Sequence, residues 1–156
     1  KKVIYKSTFD EFIKNNNCTN IHAIMFNHSL EHISNPIETL KLAHSILPSN
    51  GKCLLRIPIN NGIAKRLWGN QMPIFDAPIH LWIPSINTIN ILLQKCNFVI
   101  NENIYENEIG ILLEYYHNFK KDDKIKKISK KYFNKLAIIS YNLGISDIIA
   151  LILEKK

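Results

Sequence analysis

Apolar residues along this chain fall in short runs separated by polar tips and amphipathic stretches, a pattern that predicts strands alternating with helices. The run IHAIMF breaks into NHSLEH, and the proline-started segment NPIETLKLAHSIL follows. A PSNGK turn then leads into a second apolar run, CLLRIP. Strand, polar tip, helix, turn and strand in that order make the right-handed βαβ unit of a parallel sheet. Ligands in such sheets bind beyond the carboxyl ends of the strands. Those ends are Asn27-His28 and Pro58-Ile59-Asn60.

The remaining pattern extends this unit in both directions. Val3 to Tyr5 reads as a short strand. Ser7 and Thr8, each followed three residues on by Asp10 or Glu11, are capping-box candidates for a helix from about Thr8 to Lys14. The strand His22 to Phe26 is apolar on both faces, as buried parallel strands are. Asn35 is placed to cap the next helix, with Pro36 first and Glu38 third, and Ile37, Leu40, Ala43 and Leu47 form its inward stripe. Lys52 to Ile57 is a strand ended by Pro58. Ser85 caps a helix to about Lys95, and Asn97 stands where a helix-ending glycine is common. Phe98 to Ile104 and Asp147 to Leu153 are the last strands, with a helical insertion at 105–146 between them. Residues 60–84 have no clean period, and so long a connection inside a compact domain is usually functional. The fold class expected is α/β: a three-layer, Rossmann-like, mostly parallel sheet with its last strand antiparallel.

Composition narrows the functional classes. The 156 residues, 46% apolar and 10% aromatic, suit one globular domain. No apolar run reaches the roughly 18 residues of a membrane span. The start carries neither an initiator Met nor a signal-peptide pattern, so the chain is expected to be the later part of a longer protein, its N-terminal strands missing. A net charge of +7 invites a nucleic-acid reading, but only Arg56 and Arg66 are arginines. Much of the lysine falls in 120–131, interleaved with Ile125 and Ile128, which reads as a solvated helix face rather than a nucleic-acid partner surface. Cys18, Cys53 and Cys96 show no metal spacing and read as reduced thiols, consistent with a cytoplasmic protein.

The stretch MFNHSLEHISNPIETLKLAHSILPSNGKCLLRIP resembles the second half of class I S-adenosylmethionine-dependent methyltransferases (type 11, 12 and 23-like). That family shows an apolar strand, a tip often containing LEH, a proline-started helix, an L-x-P-x-G turn and a strand ending in Pro. DAPIHLWIPSINTINILLQKCNFVI resembles its later D-x-P-R-H-L segment, with Ile79 in place of the Arg and Asn97 in place of the usual Gly. YNLGISDIIALILEKK resembles its antiparallel last strand. The resemblance spans residues 1–156 and implies S-adenosyl-L-methionine as cofactor, with the glycine-rich cofactor loop upstream of Lys1. It implies methyl transfer to an oxygen, or a nitrogen, of a small-molecule acceptor, with weak cofactor binding by residues 1–156 alone.

Candidate site residues follow. Asn27 and His28 stand at a strand tip on the implied cofactor cleft, and Ser7, Thr8 and Phe9 fall where the family places the adenine. A hydroxyl acceptor needs a base near neutral pH, and histidine fits. His80 and His28 are the candidates, with Asp76, four residues before His80, as the orienting acid. Asn60, Trp68, His32 and Tyr115 are candidates for the acceptor side. Two other readings have sequence support. His28, Glu31 and His32 match H-x-x-E-H, an inverted zinc-peptidase motif, although only about one helical turn fits before Asn35-Pro36. A non-catalytic interaction domain on a degenerate methyltransferase fold is the other. No metal is assigned to the favoured reading.

Overall fold

A computed structural model describes residues 4–16, 18–62, 65–66, 69–71, 75, 78–106, 135, 138–139, 142–143 and 145–156. Helix α1 (Phe9–Asn15) starts at Thr8, whose hydroxyl accepts from the Glu11 backbone while the Glu11 carboxylate accepts from the Thr8 backbone. That reciprocal pair satisfies two donors that a helix start otherwise leaves open. Strand β1 (Ala23–Asn27) leads through one 3-10 turn (Leu30–His32) to α2 (Pro36–Ile46), where Asn35 Oδ1 accepts from Glu38 N. Strand β2 (Lys52–Pro58), a second 3-10 turn (Gly69–Gln71), α3 (Ile86–Lys95, capped by Ser85), β3 (Phe98–Glu106) and β4 (Ile148–Lys155) complete the described elements.

The sheet order is β1-β2-β4-β3. β1 and β2 are parallel, in the register Ile24 to Cys53 and Phe26 to Leu55. β4 runs antiparallel to both β2 and β3, with one irregularity between Ile100 and Glu102. The expected antiparallel last strand is therefore present. β1, β2 and β3 run the same way and β4 alone runs against them, so three of the four described strands are parallel in direction although two of the three pairings are antiparallel.

Helices α2 and α3 share one face of the sheet: Cys96 Sγ, just beyond α3, lies 3.6 Å from Ile37 O of α2. The core forms there from Leu40 and Ala43 of α2, Ile89 and Leu93 of α3, and Phe26, Cys53, Leu55, Ile57, Leu151 and Leu153 of the strands. Burial pushes the Cys53 thiol up to about 12, so it stays protonated and inert. Asn97 takes φ 58°, the left-handed conformation that Gly or Asn adopts past a helix end.

Two sequence expectations differ from the fold. Ile4 and Tyr5 are not in a strand; both are exposed and no described strand pairs with them. β1 alternates exposed and buried, with Met25 64% exposed, because the described helices α2 and α3 pack on the opposite face of it. An all-apolar run says that a strand can be buried on both sides, not that it is. The insertion at 105–146 and the lysine-rich segment 120–131 lie almost wholly outside the described residues.

Where β2 leaves the sheet, Ile59 N donates to Asp147 O at 2.8 Å, and Gly62 follows. A Cβ there would fall 2.0 Å from Asp147 Oδ1 and 2.6 Å from Ser146 O, so only glycine fits. This crossing sets the direction in which the chain departs over the strand ends.

Candidate functional site

The carboxyl end of β1 is closed by an unusual backbone. His28 takes φ 46°, a left-handed conformation that costs a non-glycine residue some strain, and its N–H donates to Arg56 O at 2.9 Å. The reversal turns the chain straight into Leu30–His32. Leu30 and Glu31 are both fully buried, whereas His32 is exposed.

The far end of the long connection returns to this turn and is fastened to it. Leu81 N donates to Glu31 O at 3.0 Å, and Trp82 Nε1 donates to Leu30 O at 3.1 Å. His32 Nδ1 donates to Ile79 O at 2.9 Å. Three bonds between two short segments bring the His32 and His80 rings to 4.8 Å between centroids, tilted by 40°. The ligating atoms of Glu31, His32 and His80 all lie within 4.8 Å of one another. On the other side of the carboxylate, His28 Nδ1 is 3.3 Å from Glu31 Oε1.

Next to this cluster lies an open pocket of about 470 Å³. Ser7, Thr8 and Phe9 from the start of α1 line it, opposite Met25 and Phe26 of β1 and Ser29 and Ile33 of the turn. Phe9 and Phe26 meet edge to face at 5.4 Å, and Tyr5 meets Phe12 at 4.8 Å. Ser29 and Ile33 bracket Leu30–His32, so the same turn forms one wall of the pocket and the base of the histidine cluster. The apolar, aromatic walls with a few hydroxyls suit a flat heteroaromatic ring such as adenine. Thr8 is already committed to its cap, which leaves Ser7 and the Phe9 ring as the contacts of this segment.

The other sequence candidates divide. Asn27 Oδ1 accepts from Arg56 Nη1 at 3.3 Å. Asn60 Nδ2 donates to Ile83 O at 3.2 Å, and Asn60 N donates to Pro84 O, so this residue fastens the loop's return. Asp76, Trp68 and Tyr115 lie outside the described residues. Pattern reasoning placed His28 and His80 on one cleft but kept His32 on the acceptor side and gave Glu31 no part in the favoured reading. The H-x-x-E-H match was the available signal; the histidine that completes the cluster comes from a segment with no period.

Comparison with known proteins agrees with this geometry. A family model described as "Methyltransferase domain" matches residues 3–103. A SAM dependent methyltransferase from Archaeoglobus fulgidus superposes with a TM-score of 0.60 at 19% identity, covering 97% of this chain and 66% of that one. A possible histamine N-methyltransferase from Thermotoga maritima gives 0.52 at 12%, covering 88% and 57%. A mycolic acid cyclopropane synthase solved with SAH gives 0.50 at 16%, also covering 88% and 57%. The chain thus spans 57–66% of the length of these solved chains, and at such identities the likeness shows the fold. No curated protein matches the sequence significantly. On a match over residues 3–103, this chain belongs to the methyltransferase domain family.

Proposed function

We propose that the protein containing this chain transfers a methyl group from S-adenosyl-L-methionine to an oxygen, or a nitrogen, of a small-molecule acceptor. One observation carries the reading: an open pocket with aromatic walls and the histidine cluster share the turn Ser29–Ile33, at the strand end where such sheets bind ligands. The cofactor, when bound, supplies an activated methyl on a sulfonium. Phe9, Phe26 and Ser7 hold its ring. The Asn27-His28 tip sets its orientation relative to the acceptor.

Transfer is an in-line displacement, so positioning dominates. The bound cofactor would supply the methyl carbon for a new bond to the acceptor oxygen, with its sulfur as the leaving group that would keep the electron pair of the broken carbon–sulfur bond. The hydroxyl proton passes to an imidazole nitrogen of His28 or His80. A base placed in this way contributes roughly 10²–10⁴-fold to turnover.

The experiment is a screen of the full natural protein with methyl-labelled cofactor and a metabolite extract, followed by assay of His28→Ala and His80→Ala on the acceptor found. Turnover should fall in at least one variant with cofactor affinity kept. Near-wild-type turnover in both would refute the base assignment. Failure of the wild type to label any metabolite would refute the small-molecule acceptor.

A further inference from the structure

We infer that Glu31, His32 and His80 form a binding site for a divalent transition-metal ion of the zinc type, set beside the methyl-transfer pocket. The argument begins with the carboxylate. Glu31 has no exposed surface, and neither of its oxygens accepts a hydrogen bond. Its nearest basic group, His28 Nδ1 at 3.3 Å, faces one oxygen only. An ionised carboxylate taken out of water is strongly disfavoured unless a cation or several donors meet it. A bound cation meets that need at the place where the two imidazoles converge.

The histidines are prepared for the role. His32 Nδ1 donates to Ile79 O, so Nε2 is the nitrogen left to face a metal ion. Metal-ligating histidines are commonly oriented in this way, with the second ring nitrogen bonded to a backbone carbonyl. His80 is carried to the same spot by the bonds of the next two residues, Leu81 and Trp82, to the carbonyls of Glu31 and Leu30 within the turn. Ligand atoms around a tetrahedral zinc stand roughly 3.4 Å apart, given bonds of about 2.0–2.1 Å. The observed spread of no more than 4.8 Å closes by modest rotation of the two rings.

Two imidazoles and one carboxylate make a three-ligand set that leaves at least one coordination position open. This is unlike the zinc-peptidase arrangement, where both histidines of the motif sit on one continuous helix. Here His28 lies before the turn and pairs with Glu31, and the third ligand is His80 from the distant loop. An ion held by Glu31, His32 and His80 would supply a Lewis acid that orients an acceptor hydroxyl and lowers its pKa. That last role rests on the methyl-transfer reading; the binding of the ion does not.

The test is a titration of the full natural protein, stripped with chelator, with Zn²⁺ against a chromophoric competitor, and with Co²⁺ for its visible spectrum. One equivalent should bind, with Co²⁺ giving the intense bands of a low-coordinate site. Zn²⁺ should also raise the melting temperature. His80→Ala and the near-isosteric Glu31→Gln should weaken Zn²⁺ by more than the roughly 10–100-fold typical of losing an outer-shell partner. Both should abolish the thermal shift, while His44→Gln on α2 leaves both readouts unchanged. If the stripped wild type binds no stoichiometric Zn²⁺ or Co²⁺, or binds as well without His80 and without Glu31, the site does not exist. Metal binding without methylation would defeat only the functional reading, and methylation without metal binding only this inference.

Discussion

The two faces of the sheet solve different problems with the same strands. On one, Ile24, Phe26, Cys53, Leu55, Ile57, Leu151 and Leu153 pack beneath α2 and α3 and are buried. On the other, Ile148 and Ala150 of β4 are buried, but several alternate residues keep charge or exposure. Arg56 Nε and Nη2 donate to Glu106 Oε2 at 2.8 and 2.6 Å, Lys52 pairs with Glu154, and Met25 and Ile104 are exposed. Because β-strand side chains alternate, each strand carries both characters one residue apart. The difference teaches that the described helices specify this unit through one face, while the other adds cross-strand ion pairs to a register set by the backbone ladder.

The sharpest way to break this comparison is to truncate one residue on each side of β2. Leu55→Ala, at a fully buried position, should cost about 2–5 kcal/mol in denaturant unfolding. A cost under about 1 kcal/mol would mean that the helix-covered face is loosely packed.

Arg56→Leu, one residue along and on the other face, should cost about 0.5–1 kcal/mol, because both partners are partly exposed and water screens them. Its penalty should shrink further at high salt. A salt-independent loss would mark a desolvated pair instead.

The covered face also carries a pH signature. Burial pushes the His44 pKa down, aided by the charge of Lys155, so the folded state prefers the neutral ring that meets Phe98 at 5.2 Å. The folded pKa lies below the unfolded one. The stability that the neutral ring contributes is therefore complete above about pH 6.5 and is lost as pH falls through the folded value. His44→Leu should flatten that part of the stability–pH profile; an unchanged slope would assign it to other groups.

The smallest effect belongs to Met25→Ser on the exposed side, expected to be within about 0.5 kcal/mol. A loss as large as that of Leu55→Ala would show that something covers Met25 in solution.

Local signals in the sequence were read correctly where the cause is local. Thr8 with Glu11, Asn35 with Pro36, Ser85, and Asn97 at its positive φ each satisfy or end a helix through neighbours three or four residues away. The one-sidedness of β1 was not legible, since IHAIMF has no polar alternation and the coverage depends on where helices dock. The site was half legible. Asn27 and His28 at the strand tip followed from topology, but the meeting of His80 with His32 and Glu31 depends on backbone bonds from Leu81 and Trp82. No periodicity records bonds of that kind.

The order β1-β2-β4-β3 also has a consequence in time. β4 comes after the other three strands along the chain, yet it lies between β2 and β3 and is the partner of both. As the polypeptide leaves the ribosome, β1 and β2 can pair as soon as α2 has emerged. β3 then waits without a neighbour until translation has passed Lys155. Closure requires a late segment to insert between two earlier ones, a non-local step of the kind that slows folding and leaves a strand edge open meanwhile. For this sheet the decisive moment of folding comes when its last described strand, β4, emerges.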